Sequence, residues 1–278
     1  MTGSARLAKY HGLGNDYLVC DPDEIPFELT PERVRLLCHR NLGLGADGVL
    51  LLCPGADGAD VGLRILNPDG SEAEKSGNGL RIFAAWLVDT ARIAAGSFRV
   101  WTRGGVVGIE IERPRDAPAA VTVDMGLATV RSDLTRIDVL GERLDVVALS
   151  IGNPHCVVPR QRLDPEDLRR LGPAIETHAS FPNRTNVQLV CPTSHNTVEA
   201  LIWERGAGET MASGSSACAV AVACHHLGLT GRTVQIRMPG GDLAIRLAED
   251  GHVWMRGPAE AVYTAAVEGD LLRRLGPV

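Results

Sequence analysis

Two serines stand in matching surroundings about half a chain apart. Ser76 lies in Lys75-Ser76-Gly77-Asn78-Gly79-Leu80-Arg81, and Ser213 lies in Ala212-Ser213-Gly214-Ser215-Ser216-Ala217-Cys218. Each motif puts Ser-Gly and a small polar residue directly before an apolar, helix-prone run, Ile82 to Val88 in one and Ala219 to Cys224 in the other. A serine at such a junction is a good helix N-cap, and the unbonded N–H groups of a helix start hold anions. Two such starts facing each other predict a carboxylate site with one reactive hydroxyl on each side.

The spacing around the two serines extends this to an internal repeat. The apolar run Val61 to Leu66 followed by Asn67 parallels Val198 to Trp203 followed by Glu204, and Asn67 and Glu204 each lie nine residues before their serine. Glu72 and Glu209 each precede it by four, while Asn15 precedes Ser76 by 61 and Asn153 precedes Ser213 by 60. Downstream, Thr102 to Ile109 parallels Met238 to Ile245, with Gly104-Gly105 matching Gly240-Gly241. Common residues such as Gly, Ser and Ala produce short matches by chance, but a shared order at one offset does not arise so easily. Each half is therefore expected to be one domain, residues 1–130 and 131–278, with the site in the cleft between them.

Composition narrows the function classes. A chain of 278 residues is long enough for two cored domains, and 45% apolar residues argues against disorder. A net charge of −6 offers no basic face, and 4% aromatics offers no stacking platform, so nucleic acid is not expected as a partner. No apolar run reaches the length of a membrane span, and the N-terminus has no apolar signal core, so a cytoplasmic protein with no membrane partner is expected. The seven cysteines are scattered, odd in number and free of CxxC pairs, which suits reduced thiols in apolar strands. His225-His226 beside Cys224 is not a metal-ligand spacing, so no metal is expected. Gly12-Leu13-Gly14-Asn15 and Gly43-Leu44-Gly45-Ala46 do not fit a dinucleotide fingerprint, so NAD and flavin are rejected and no cofactor is expected.

The elements that must position the serines are mostly strands. Tyr17–Cys20, Gly48–Cys53, Phe98–Trp101, Val106–Ile111, Ala120–Val123, Val146–Ile151, Asn186–Val190 and Val253–Met255 are apolar runs bounded by Gly, Pro and Asp. Helices are predicted after Thr30-Pro31-Glu32, from Ser76 to Thr90, from Asp164-Pro165-Glu166 to Leu171, and from Ser213 to Leu227. Each half then has several strands, a short early helix and a longer helix after its Ser-Gly motif. That pattern is α+β, a curved mixed or antiparallel sheet covering a helix. Arg113 to Pro118 is predicted to be a loop.

With these residues in place, the chain resembles the diaminopimelate epimerase family of cofactor-independent, PLP-independent amino-acid racemases. The matching stretches cover nearly the whole chain: Tyr10 to Tyr17, Gly43 to Gly48, Asn67 to Glu72, Gly77 to Arg81, Gly152 to His155, Phe181 to Val187 and Glu204 to Thr210. The resemblance implies two pseudo-symmetric domains, each a barrel-like sheet around a central helix, and an isomerase of lysine biosynthesis. It also implies roles. Asn15, Asn67, Asn153, Asn186, Glu204 and Arg205 would hold the distal carboxylate and amine of a small amino-acid substrate, with Arg205 forking onto the carboxylate. The N–H groups of Gly77, Asn78, Gly214 and Ser215 would hold the reacting carboxylate and stabilise the carbanion. His155 and Glu204 would support the bases. A homodimer is left open.

The departure lies in the bases. The family uses a cysteine before each Gly, whereas this chain has Ser76 and Ser213. A thiol with pKa near roughly 8.5 is brought to working pH by a helix start, but a hydroxyl is a far weaker acid and needs a strong local base. Three situations fit: a natural Ser/Ser branch that still racemises, a variant with both cysteines replaced, or a scaffold that has lost proton transfer. The undisturbed flanks favour the natural branch. The expected activity is epimerisation of L,L-diaminopimelate to the meso form by a 1,1-proton shift with Ser76 and Ser213 as opposed bases. The alternatives are a racemase of another amino acid in a specialised pathway and a non-catalytic amino-acid binder. Asn67, Asn153 and Asn186 could also be turn formers, and Asp47 is expected as a turn residue.

Overall fold

The computed structural model describes residues 4–276, which form two compact units. The first takes the chain to Val123 and again from Pro258 onward, and the second is Asp124–Gly257. This corrects the expectation of consecutive halves at the C-terminus. The last strand pairs antiparallel with the first, Ala5 opposite Val267 and Leu7 opposite Ala265. A pairing that spans almost the whole chain leaves no local pattern to read.

The first unit begins with β1 (Ala5–Gly12), β2 (Asn15–Cys20), α1 (Pro31–Cys38), β3 (Val49–Cys53) and β4 (Val61–Leu66). It continues with β5 (Glu72–Ala73), α2 (Gly77–Asp89), β6 (Gly96–Thr102), β7 (Gly105–Glu112) and β8 (Ala119–Leu127). The second has β9 (Thr129–Val130), β10 (Arg136–Val139), β11 (Glu142–Asp145), β12 (Val147–Ser150), β13 (Pro154–Pro159) and α3 (Pro165–Glu176). It goes on through β14 (Asn186–Ser194), β15 (Thr197–Glu204), β16 (Gly208–Thr210), α4 (Gly214–His226), β17 (Thr233–Met238) and β18 (Gly241–Leu247). The long β19 (His252–Val267) and α5 (Gly269–Leu275) close the chain.

The repeat expected from the spacing is present in the strand pairing. In the first unit β2 and β3 are parallel, β3 and β4 antiparallel, β4 and β6 parallel, and β6 and β7 antiparallel. In the second, β13 and β14, β14 and β15, β15 and β17, and β17 and β18 follow the same sequence of senses. Each unit is thus a mixed, curved sheet with one long helix at its centre. That helix is α2 or α4, each opened by one of the two Ser-Gly motifs.

Burial explains why these helices are central. From Asn78 to Leu87 every residue of α2 is buried, and α4 is buried at Gly214, from Ser216 to Ala221 and at Ala223 and Cys224. A helix that is apolar all round must be enclosed. The small side chains of α4 let β12, β13, β14, β15, β17 and β18 all touch it. The outer helices carry one apolar face each. Val34 and Leu37 of α1 join Leu7, Leu18 and Val49 in one core, and Leu168, Leu171 and Ile175 of α3 join Val187 and Leu189 in another. Each such fully buried aliphatic side chain contributes about 1.5–3 kcal/mol. All seven cysteines are free thiols. Among the described residues no helix is long and apolar enough to cross a membrane.

Helix α3 departs from the expected stop at Leu171. It runs on through Pro173 to Glu176 because the buried positions Leu168, Leu171, Gly172, Ile175 and Glu176 keep helical spacing. Proline forfeits one backbone bond there. Gly172 in return lets the Trp203 ring lie on the helix backbone, since a Cβ would come within 2.7 Å of Trp203 Cγ and Cδ2. Trp203 Nε1 then donates to Glu176 Oε2 at 2.7 Å. Gly172→Ala should therefore destabilise the protein by about 1–3 kcal/mol from overpacking, despite alanine's helix preference of about 1 kcal/mol. Urea unfolding checks this, and an unchanged or raised midpoint would contradict the packing account.

Candidate active site

In the first unit the site residues cluster at the β1–β2 turn and the start of α2. Leu13 and Gly14 form a two-residue hairpin loop with φ of 57° and 87°, the signature of a type I′ turn. Glycine accepts this conformation freely, whereas Leu13 is strained in it. The turn starts β2 at Asn15, opposite Gly12. Asn78, buried in the first turn of α2, donates from Nδ2 to Asn15 Oδ1 at 3.1 Å and accepts at Oδ1 from Arg81 Nη2 at 2.8 Å. Asn15 Nδ2 donates to Asp47 Oδ2 at 2.9 Å, and Arg40 Nη2 donates to Asp47 Oδ1 at 2.7 Å.

A guanidinium only donates and a carboxylate only accepts, so the direction of every bond from Arg81 to Asp47 is set. The amides of Asn15 and Asn78 are therefore held in one orientation. Arg81 is fully buried and also donates from Nε to the Pro258 carbonyl at 3.3 Å. Next to this chain, burial would raise the Asp16 carboxyl, but hydrogen bonds from Arg40 and Lys9 outweigh it and hold the group at about 2.

Ser76 is the N-cap of α2, and its Oγ accepts from Gly79 N at 3.1 Å. Asn67 stands apart. It sits after β4 with Nδ2 donating to Ser71 Oγ at 3.0 Å, and no hydrogen bond among the described residues joins it to Ser76 or Asn78.

In the second unit six residues named from the sequence converge. Ser213 is buried and precedes α4, but unlike Ser76 it makes no capping bond. The carboxyl of Glu204, the last residue of β15, lies near enough for the Ser213 hydroxyl to influence its proton affinity. Burial raises the Glu204 pKa, and the nearby Ser213 hydroxyl only partly opposes this. Asn186 opens β14 opposite His155 of β13. Its Nδ2 donates to the Pro154 carbonyl at 2.9 Å and its Oδ1 accepts from Arg205 N at 2.9 Å. The Arg205 guanidinium is exposed and donates from Nη1 to the Asn183 carbonyl at 3.1 Å. It makes no carboxylate pair among the described residues, so it is available to an acid from solution.

His155 is buried, with Nε2 2.9 Å from Asn153 Oδ1 and Nδ1 3.0 Å from Gln188 Nε2. Burial, reinforced by the Arg205 charge, drives its pKa down to about 3. The ring is neutral at working pH and both nitrogens are occupied. The expectation that His155 assists a base is thus met by a group poorly suited to exchange protons.

The helix starts supply further donors. The first bonds inside the helices are Leu80 N to Ser76 O at 2.9 Å and Ala217 N to Ser213 O at 3.0 Å. The N–H groups of Gly77, Asn78, Gly214 and Ser215 lie before them, outside each helical ladder.

Four residues important to this arrangement were not singled out by sequence reasoning. Arg81 carried a signal, since a charge inside an otherwise apolar helical run needs a buried partner. Asp47 reads in sequence as a turn residue. Gln188 is one polar residue inside an apolar strand. Glu176 gave no signal at all. It is buried, accepts from Gly206 N at 2.9 Å as well as from Trp203, and so anchors the turn that carries Arg205. Cys20 and Cys224 do not substitute for the missing thiols, since burial pushes both up to about 12.

The raised Glu204 pKa has a definite stability sign. The folded state holds this proton more tightly than the unfolded chain does. Its contribution is fully present below the unfolded value near 4.5 and is lost as pH rises through the folded value. Glu204→Gln removes the charge and keeps an acceptor for Ser213. Its melting temperature should exceed that of the parent at pH 8, with the gap closing toward pH 4.5, as thermal melts across that range would show.

The profile of the family described as "Diaminopimelate epimerase" matches residues 7–130 and 147–262. Diaminopimelate epimerase 2 from Nostoc sp. is 44% identical over 264 residues, covering 90% of this chain and 91% of that protein. Diaminopimelate epimerase from Desulfitobacterium hafniense is 40% identical, covering 96% and 99%. A solved hydroxyproline epimerase from Agrobacterium vitis shares the fold with a TM-score of 0.72 at 17% identity, covering 98% of this chain and 95% of that one. Carrying the paired helix starts, the oriented asparagines and a sequence match over most of its length, this chain belongs to the diaminopimelate epimerase family.

Proposed function

We propose that this protein epimerises L,L-diaminopimelate to the meso form by a 1,1-proton shift, using Ser213 and Ser76 on opposite faces of the reacting carbon. The observation that carries this reading is the placement of Ser213 beside Glu204, whose proton affinity burial raises. A serine hydroxyl removes an α-proton only if its own proton has somewhere to go. Here the acceptor is a carboxylate whose affinity for a proton is raised by burial.

The step balances as follows. The Cα–H bond breaks, its proton passes to Ser213 Oγ, and the Ser213 hydroxyl proton passes to Glu204. The electron pair left on Cα spreads into the substrate carboxylate, which the N–H groups of Gly77, Asn78, Gly214 and Ser215 stabilise as charge develops. Ser76 gives its proton to the other face. Its oxygen already accepts from Gly79 N, which stabilises the charge it is left with. Glu204 then releases a proton to solvent, and Ser76 regains one.

Recognition falls to the remaining residues. Arg205 suits the distal carboxylate through its planar fork, and the amides of Asn15, Asn67, Asn153 and Asn186 suit the polar groups around it. Family membership supports diaminopimelate as the substrate to try first.

Proton NMR in deuterium oxide with L,L-diaminopimelate, followed by chiral analysis, tests the proposal. The α-proton signal should disappear as meso product accumulates. Ser213→Ala should lower the rate by about 10²–10⁴-fold, the range for losing a positioned acid–base group. The rate should also rise with pH through the elevated Glu204 pKa and then level off, and Glu204→Gln should lose both the limb and the rate. Substrate binding without α-proton exchange, in the parent and also in Ser76→Cys with Ser213→Cys, would overturn the epimerase reading. Exchange in that double cysteine form alone would show a scaffold whose bases have been lost.

A further inference from the structure

We propose that Gln188 fixes the proton of His155 on Nε2 and so presents Asn153 to the substrate as a hydrogen-bond donor. Gln188 is a positioning residue in this scheme, two side chains removed from the ligand. The idea that Asn153 meets substrate rests on the function proposed above, whereas the proton placement does not.

Gln188 is fully buried in β14, two residues after Asn186. Its Nε2 lies 3.0 Å from His155 Nδ1 and 3.0 Å from Ser216 Oγ. An amide nitrogen has two protons, and here there are two acceptors. Gln188 Oε1 is buried with no partner among the described residues. Turning the amide over would leave two N–H donors unmet in place of one carbonyl oxygen, which is the costlier arrangement. His155 Nδ1 is thus an acceptor.

The rest follows along the chain of bonds. A neutral imidazole that accepts at Nδ1 carries its proton on Nε2. That proton points at Asn153 Oδ1, 2.9 Å away. Asn153 is half-buried, and its Nδ2 has no partner among the described residues. The group left to meet a ligand is therefore an NH2, which fits a carboxylate oxygen and rejects an ammonium. Ser216 ties the same glutamine to α4, one turn beyond Ser213, so the orientation of Asn153 is referenced to the helix that begins with the proposed base. Asn153 would thus take the acid end of the substrate.

Nitrogen-15 NMR of histidine-labelled protein reads this without substrate, with His155 assigned by loss of its signals in His155→Gln. The expected result is a neutral ring with protonated Nε2 and bare Nδ1 from pH 5 to 8. In Gln188→Leu, which removes the donor at similar volume, the ring should show a mixture of both tautomers. With diaminopimelate, KM should rise on the order of tenfold while kcat changes less than about threefold, the pattern for lost uniform binding. A merely structural Gln188 would not move the tautomer signals or split KM from kcat. Should Gln188→Leu fail to fold, Gln188→Met is read in the same way. A proton on Nδ1 in the parent, or an unmixed Nε2–H ring in the folded variant, would overturn the proposal. A protein that shows the expected tautomer yet never exchanges an α-proton would sink the epimerase reading and leave the tautomer assignment standing.

Discussion

A helix wrapped by sheet on all sides has to satisfy its first N–H groups from whatever lies at its start, and both halves of this protein turn on how they meet that constraint. In α2, Ser76 closes the account locally by capping Gly79. In α4 the same residue type at the same position makes no cap, and the Glu204 carboxyl lies beside it. One sequence motif thus yields two chemical states. In the proposed mechanism the capped serine, its oxygen already accepting, acts as the acid, and the serine beside a carboxyl of raised pKa acts as the base.

Around each start, side-chain amides are oriented by charges that cannot be reversed. Arg81 and Asp47 fix Asn78 and Asn15 from the two ends of one chain of bonds. Backbone groups fix Asn186, which accepts from Arg205 N and donates to Pro154. An amide held this way meets a ligand without reorganising, and such preorganisation is the larger part of electrostatic catalysis. The cost is a set of polar groups buried inside apolar cores. They are tolerated because nearly all are bonded, and a partly satisfied network would be worse than none.

The serines also change what the surroundings must supply. A thiol near a helix start reaches its reactive form through the local field. A hydroxyl does not, and so a carboxylate must stand within reach of it. In the proposed mechanism Glu204 fills that place for Ser213. Cys20 and Cys224 offer no substitute, since the apolar setting that makes them good core residues also holds their protons on.

The sequence by itself determined the repeat, the two central helices, their serine starts and most residues of the two clusters. These rest on local chemistry: apolar period, capping residues, turn glycines and the spacing between them. It also allowed the α+β class, because runs of strands around one all-apolar helix have few ways to bury it. Tertiary structure decided what depends on partners distant in sequence. The return of β19 to β1, the extension of α3 under Trp203, the promotion of Asp47 from turn residue to anchor and the neutral, fully bonded state of His155 all come from contacts that no window of sequence contains. The same is true of the difference between Ser76 and Ser213. A side chain's proton is placed by the groups that surround it in space, and only the fold brings those groups together.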